Sequence, residues 1–240
     1  MKCMVINCSP SMEKGNTHYV LMPFIKGMEK AGAEIELLFS SQLSIKPCSC
    51  GIMHCWYRKP GICYIQDDDM KGLYPKLADS DLLVWATPVY APIPGEMQHL
   101  LNRLCPLLIP DLRNRDGRTR SRFRTHVRIQ RIALVTTGGW WEKENANNVV
   151  QIMKETAANA GVPFAGAAIR PHAHLIRSSQ ISATPEARSV IDALEEAGFQ
   201  LVREGFMINK TLEAISQPLI SEEDLRALYN QWVESEKTMQ

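Results

Sequence analysis

The sequence predicts an α/β protein: a doubly wound, five-stranded parallel sheet with helices on both faces and a C-terminal helical extension. Three observations carry this. Short apolar runs of strand length alternate with segments of helical periodicity. Runs such as Asp81–Ala86 are continuously apolar, as strands covered on both faces are. Unusual residues cluster after the first, third and fourth runs, where the carboxyl ends of parallel strands form a ligand crevice.

The first strand is Cys3–Asn7, with Met4, Val5 and Ile6 as its apolar bulk. Glu34–Phe39 is the second, Asp81–Ala86 the third and Arg131–Thr136 the fourth. Phe164–Ile169 is the fifth, although its alanines also suit a helix. Helical segments fall between them at 17–31, 69–79, 94–108, 146–160 and 184–203. Gly161 follows the fourth helix, where a helix-terminating glycine belongs. Right-handed crossovers then put helices on both faces.

The turn after the first strand, Cys8-Ser9-Pro10-Ser11-Met12-Glu13-Lys14-Gly15-Asn16-Thr17, has the chemistry of a phosphate cradle. Helix-start amides lack intrahelical partners and the helix dipole favours an anion there. Ser9, Ser11, Asn16 and Thr17 add side-chain donors. The turn is neither GxGxxG nor GxxxxGK[ST], which argues against a dinucleotide-binding first turn and a P-loop. An ordinary strand-to-helix turn capped by Asn16 or Thr17 is the plain alternative. The third strand leads into Thr87-Pro88-Val89-Tyr90-Ala91-Pro92-Ile93-Pro94-Gly95, and the fourth into Thr136-Thr137-Gly138-Gly139-Trp140-Trp141. The paired tryptophans cover the sheet end or form a dimer contact.

The 240 residues suffice for one full core with appendages. A formal net charge of +1 predicts no nucleic-acid or membrane partner, and no apolar run is long enough to span a bilayer. Met1-Lys2-Cys3 opens directly into a strand pattern without a leader, which gives a cytoplasmic expectation. Seven cysteines, an odd number, point to free thiols, catalysis or metal rather than a disulfide frame.

Over residues 1–175 the chain resembles the flavodoxin-like NAD(P)H-dependent FMN reductases and the related iron–sulfur flavoproteins. Cys8-Ser9-Pro10-Ser11 through Gly15-Asn16-Thr17 matches their G-S-P-R-x-x-G-N-T loop. Thr87-Pro88-Val89-Tyr90 matches S-P-V-Y, Pro60-Gly61-Ile62-Cys63 matches P-G-x-C, and Asp68-Asp69-Met70 matches D-D-M. Ser11 departs from the pattern where arginine is common, which removes a charged phosphate partner.

The resemblance implies a flavodoxin-like FMN-binding domain over 1–204, with a basic excursion at 110–130, and an extension over 205–240. It implies the FMN phosphate on Ser9, Ser11, Asn16, Thr17 and the His18 backbone. Pro88, Val89 and Tyr90 would follow the isoalloxazine edge, where backbone N–H groups could reach N5 and the pyrimidine oxygens; Thr137, Gly138 and Gly139 would approach the pyrimidine or dimethylbenzene side. The implied activity is an oxidoreductase that takes hydride from NAD(P)H and reduces flavin, quinone or a similar small-molecule acceptor. Hydride chemistry then belongs to the cofactor, so no catalytic acid or base is named. The family also implies a homo-oligomer.

The alternative is an iron–sulfur flavoprotein electron carrier with a [4Fe–4S] cluster on Cys48, Cys50, Cys55 and Cys63. Four thiolates in a compact run suit a cluster. Their gaps of one, four and seven residues depart from the family's spacing, and a redox or structural loop is the plain alternative. Cys3, Cys8 and Cys105 read as core thiols.

Eight arginines between Arg113 and Arg131 form either a solvated excursion, a subunit contact or an electrostatic guide for an anion such as the NADPH phosphates. With no aromatic platform beyond Phe123, nucleic acid is disfavoured. His172 and His174 are either loop histidines or metal ligands. After the extended link Ile215–Ser221, Ser221-Glu222-Glu223-Asp224 caps a last helix to about Glu236. Its apolar stripe, Leu225, Leu228, Tyr229 and Trp232, packs on its own domain or on a second subunit.

Overall fold

A computed structural model describes residues 1–49 and 53–238, apart from the side chains of 236–238. In chain order the elements are β1 (Lys2–Asn7), α1 (Asn16–Lys30), β2 (Glu34–Phe39), α2 (His54–Tyr57), α3 (Met70–Asp79), β3 (Leu82–Pro88) and α4 (Gly95–Asn102). They continue with β4 (Arg113–Arg115), β5 (Arg118–Arg120), β6 (Arg131–Thr137), α5 (Asn147–Ala160), β7 (Phe164–Arg170), α6 (Pro185–Arg203), α7 (Asn209–Ser216) and α8 (Glu222–Thr238).

Five strands form one parallel sheet in the order β2-β1-β3-β6-β7. The chain leaves β1 toward β2 and then returns past it to β3, so the switch in direction falls between β1 and β3. Strand side chains alternate between two cores. Cys3, Val5, Val84 and Val135 face α1 and α6, whereas Met4, Ile6, Trp85 and Leu134 face α3, α4 and α5. Both faces are dry, which is why the strands read as unbroken apolar runs. This is the flavodoxin-like architecture that the resemblance implied.

The third, fourth and fifth strands extend a residue or two beyond their predicted ends, to Pro88, Thr137 and Arg170. The predicted helix over 94–108 stops at Asn102, and a separate 3₁₀ turn follows at Cys105–Leu107. Pro106 explains the break, because it lacks an amide hydrogen and disfavours helical backbone at the residue before it. In the extension, the predicted link begins later than expected, because Ile215 and Ser216 close α7, which packs against α6 and β7.

The basic excursion is a β-hairpin, β4 with β5, turning at Asp116 and Gly117 with φ of 53° and 72°. Four of its arginines pair with carboxylates of the chain. Arg118 and Arg120 pair with Glu155 of α5 at 3.0 and 2.7 Å, Arg113 pairs with Asp111, and Arg128 bridges Asp79 and Asp81.

Helices α1 and α6 cross at Gly27 and Gly198. A Cβ on Gly27 would sit 1.8 Å from the Glu195 carbonyl oxygen, and one on Gly198 would sit 1.9 Å from that of Phe24. The two backbones touch with no side chain between them.

Candidate functional site

The loops after β1, β3 and β6 converge, and the turn after β7 joins them. A cavity of about 350 Å³ is lined by Ser9, Ser11, Asn16, Thr17, Pro88, Val89, Tyr90, Thr137, Gly138 and Gly139, among others. Ten of the eleven residues singled out by sequence therefore share one crevice. His18 does not line it; its ring lies against Phe39, 5.6 Å between centroids.

The crevice floor is rigid. Asn7 accepts the Ser9 amide through Oδ1 at 2.9 Å, which folds the loop back over the end of β1. Thr17 and Thr137 are linked hydroxyl to hydroxyl at 2.8 Å, tying the start of α1 to the end of β6. Among the described residues no side chain caps α1, so its first-turn amides remain available to a ligand. Gly15 keeps the cradle open, since a Cβ there would lie 2.7 Å from Ser9 Oγ and 3.1 Å from Ser11 Cβ.

The second loop departs from expectation. Pro88 has no amide hydrogen, the Val89 amide donates to the Thr137 carbonyl at 2.8 Å, and the Tyr90 amide donates to the Pro92 carbonyl at 2.8 Å. These amides are spent on holding the loop, so Val89 and Tyr90 shape the crevice by their side chains. Tyr90 is 56% exposed at its rim.

Four further residues stand at the site that the sequence did not place there: Arg177 carried no signal, while His174, Tyr229 and Trp232 were noted for other reasons. Arg177, in the turn after β7, donates to the Lys14 carbonyl at 2.7 Å and approaches Asn16 Oδ1 at 3.4 Å. It brings to the cradle's edge a guanidinium that Ser11 cannot supply. His174 lines the cavity, and its Nε2 is buried without a hydrogen-bond partner. Tyr229 and Trp232 of α8 line the same cavity. The apolar stripe of the last helix thus packs on its own chain, over the crevice. An adjoining cavity of about 450 Å³ shares Val89, Tyr90, Gly138, Gly139 and Tyr229, and adds Trp140, Glu142 and Lys143.

His172 belongs to the support beneath. Arg170 is fully buried and its guanidinium reaches His172 Nε2 at 2.6 Å, with the Ile215 and Gln217 carbonyls accepting at 2.7 and 2.8 Å. His172 Nε2 also accepts the Leu219 amide at 3.2 Å, which puts the ring hydrogen on Nδ1. Burial, then the Arg170 charge and His174, push His172 down to about 3, so its ring is neutral. Burial lowers Arg170 to about 9, which still leaves it charged at neutral pH.

The cysteine segment is held elsewhere. Asp68 of the D-D-M motif and Arg103 form an ion pair at 2.5 Å with both side chains fully buried. Asp68 also accepts the Lys46 amide at 3.0 Å, and Arg103 donates to the Lys46 and Ile65 carbonyls. Cys48 is exposed and Cys55 and Cys63 are buried, while Cys50 lies outside the described residues. The described thiols do not gather as the expected ligand set. Cys55 interacts with Cys105, and Cys63 with Tyr74. Among the described residues no group of three or more His, Cys, Asp or Glu side chains could hold a metal ion, His172 and His174 included. Cys105 is pushed up to about 12, chiefly by burial and then by Cys55.

The site fits an elongated molecule with an anionic end. A family model described as NADPH-dependent FMN reductase matches residues 1–174. The chain belongs to the NADPH-dependent FMN reductase family. Relatives agree with this family's fold. An iron–sulfur flavoprotein of Archaeoglobus fulgidus is 32% identical over 110 residues, 45% of this chain. That match spans 54% of the relative, so the chain matches about half its length. Among solved structures, an NAD(P)H:quinone oxidoreductase from Methanothermobacter marburgensis superposes with a TM-score of 0.61 at 14% identity, covering 84% of this chain and 96% of that one. RosB, solved with bound 8-demethyl-8-formylriboflavin-5'-phosphate, gives 0.61 at 16% identity, covering 96% of this chain and 86% of that one. All loops that line the crevice except α8 and the residues at 177 and beyond fall inside the span matched by the FMN reductase family model.

Proposed function

We propose that this chain is an FMN-dependent oxidoreductase that takes hydride from NAD(P)H and reduces flavin, quinone or a similar small-molecule acceptor. Residues 1–204 act as the FMN-binding domain and 205–240 as its extension. The observation that carries this reading is the uncapped start of α1, opening into a cavity at the strand-order switch of a family member. The residues present fit FMN. Ser9, Ser11, the amides of Asn16, Thr17 and His18, and Arg177 suit its phosphate, Gly15 leaves room for it, and His174 Nε2, buried with no partner among the described residues, belongs to a residue that lines the same cavity. Bound FMN supplies hydride acceptance and electron transfer. The protein's part is to bind, orient and shield: Thr137, Gly138 and Gly139 form one wall and Pro88, Val89 and Tyr90 the other.

The protein acts in the cytoplasm as a homo-oligomer. Seven cysteines, an odd number, support a reducing compartment over a disulfide frame. Exposed Tyr57, Ile62 and Tyr64 on one short segment support a subunit contact. The test is a visible spectrum of protein purified without oxygen, followed by NAD(P)H addition. Flavin bands that bleach at catalytic rates are expected; a protein that takes up no FMN ends the reading.

The similarity to an iron–sulfur flavoprotein favours one second reading, an electron carrier, against which stands that no group of described side chains could hold a metal ion. The same sample decides it, because iron and sulfide present in stoichiometric amount, with slow NAD(P)H turnover, select the carrier.

A further inference from the structure

The crevice has a wall that the first three loops do not provide. Helix α8 lies across it, and four rings meet there. The His174 ring sits edge-on to both Tyr229 and Trp232, each 5.5 Å between centroids. Tyr229 and Trp232 are 5.2 Å apart at 80°, and Trp140 is 6.0 Å from Tyr229. Tyr229 Oη donates to the Gly139 carbonyl at 3.1 Å, closing the helix onto the loop after β6. Trp232 remains 44% exposed, and Trp140 67%. Such exposure is more than core packing alone requires of two tryptophans.

The strap that delivers α8 is fixed. Arg170 holds the Ile215 and Gln217 carbonyls, His172 holds the Leu219 amide, and Trp141 Nε1 donates to the Ile220 carbonyl at 3.1 Å. Ser221 then caps the helix through the Asp224 amide at 3.0 Å, and Leu225 is buried. The strap from Ile215 to the first turn of α8 is therefore anchored, and the rings of Tyr229 and Trp232 arrive at the crevice already placed.

The geometry points to Tyr229 and Trp232 as cofactor-retaining residues: with His174 they form an aromatic wall that makes FMN a resident group rather than an exchangeable one. The inference rests on the FMN reading above. Flat rings bind flat rings by stacking and edge contacts, and the wall places such rings around His174 Nε2, a buried ring nitrogen with no hydrogen-bond partner among the described residues.

The test is the rate of FMN release, followed by the recovery of flavin fluorescence after dilution of the loaded protein, with far-ultraviolet circular dichroism as the control for α8. Trp232→Ala and Tyr229→Ala should each speed release by about tenfold or more, the size expected for losing one stacked aromatic. Tyr229→Phe keeps the ring and loses only the Gly139 hydrogen bond, so its release rate should stay within about threefold of the parent. Both alanine variants holding FMN as tightly as the parent would overturn the wall while leaving the flavin reading intact. Failure of the parent protein to bind FMN overturns both together.

Discussion

The hydroxyls of Thr17 and Thr137 lie 2.8 Å apart, buried, across 120 residues of sequence. This one contact joins the helix that offers its amides to an anion to the strand end that floors the crevice. Replacing either threonine with valine leaves the other hydroxyl buried without its partner. Each single variant should lose about 1–2 kcal/mol. The double variant Thr17→Val/Thr137→Val should lose less than the sum, because neither orphan remains. Urea unfolding of the four proteins measures the coupling, and strict additivity would show that the contact contributes nothing.

Gly15→Val tests the cradle. Its backbone φ is −80°, so the substitution is not strained by conformation, and the cost is steric. FMN affinity should fall by at least about tenfold, as for a ligand displaced from its donors, with little change in unfolding midpoint. Isothermal titration with FMN reads the first quantity and thermal unfolding the second.

Arg177 stands in for the charge that Ser11 does not bring. Arg177→Ala should weaken FMN binding by about fivefold to tenfold, and should flatten the dependence of Kd on salt concentration, because one cation no longer faces the phosphate. Titrations at low and high salt decide it, and an unchanged salt slope would remove Arg177 from the site.

Asp68 is held below the ordinary carboxylate range. Burial pushes it up, but the hydrogen bond from Arg103, the Lys46 amide and the Arg103 charge outweigh that. A carboxyl lowered on folding contributes stability that is complete above its unfolded pKa and is lost as pH falls through its folded one. Asp68→Asn leaves Arg103 charged and buried, and should cost about 3–5 kcal/mol at neutral pH. The gap between parent and variant should narrow in acid, which denaturant titrations from about pH 7 to about pH 3 would reveal.

His172 carries a second pH dependence. Its folded pKa of about 3 lies below the ordinary value, so the unfolded chain binds the proton first. Its stability contribution is complete above about pH 6.5 and declines as pH falls toward 3, at up to about 1.4 kcal/mol per pH unit. The groups facing it are Arg170 and His174. His172→Gln keeps an acceptor for Arg170 and the Leu219 amide but does not titrate. Its stability should fall less steeply than the parent's over that range, and parallel profiles would exclude His172 as the source.

The sheet and its crevice were legible because they rest on local signals. Val5, Val84 and Leu134 lie in short apolar runs, and Ser9, Gly15 and Gly138 fall in the turns directly after the first and fourth of those runs. What escaped reading depends on distance in space. Arg177 meets Asn16 across 161 residues, and Trp232 meets His174 only because Arg170 and His172 pin the intervening strap. Helical periodicity showed that α8 has an apolar stripe but not what the stripe covers. The cysteine run was read by spacing, while Cys55 finds Cys105 from a different element.

The glycine crossing of α1 and α6 gives the crevice a remote handle. With Gly27 and Gly198 in backbone contact, neither helix can slide without carrying the other. The first turn of α1 belongs to the cradle, so the cradle's helix is held about three turns away by its backbone contact with α6.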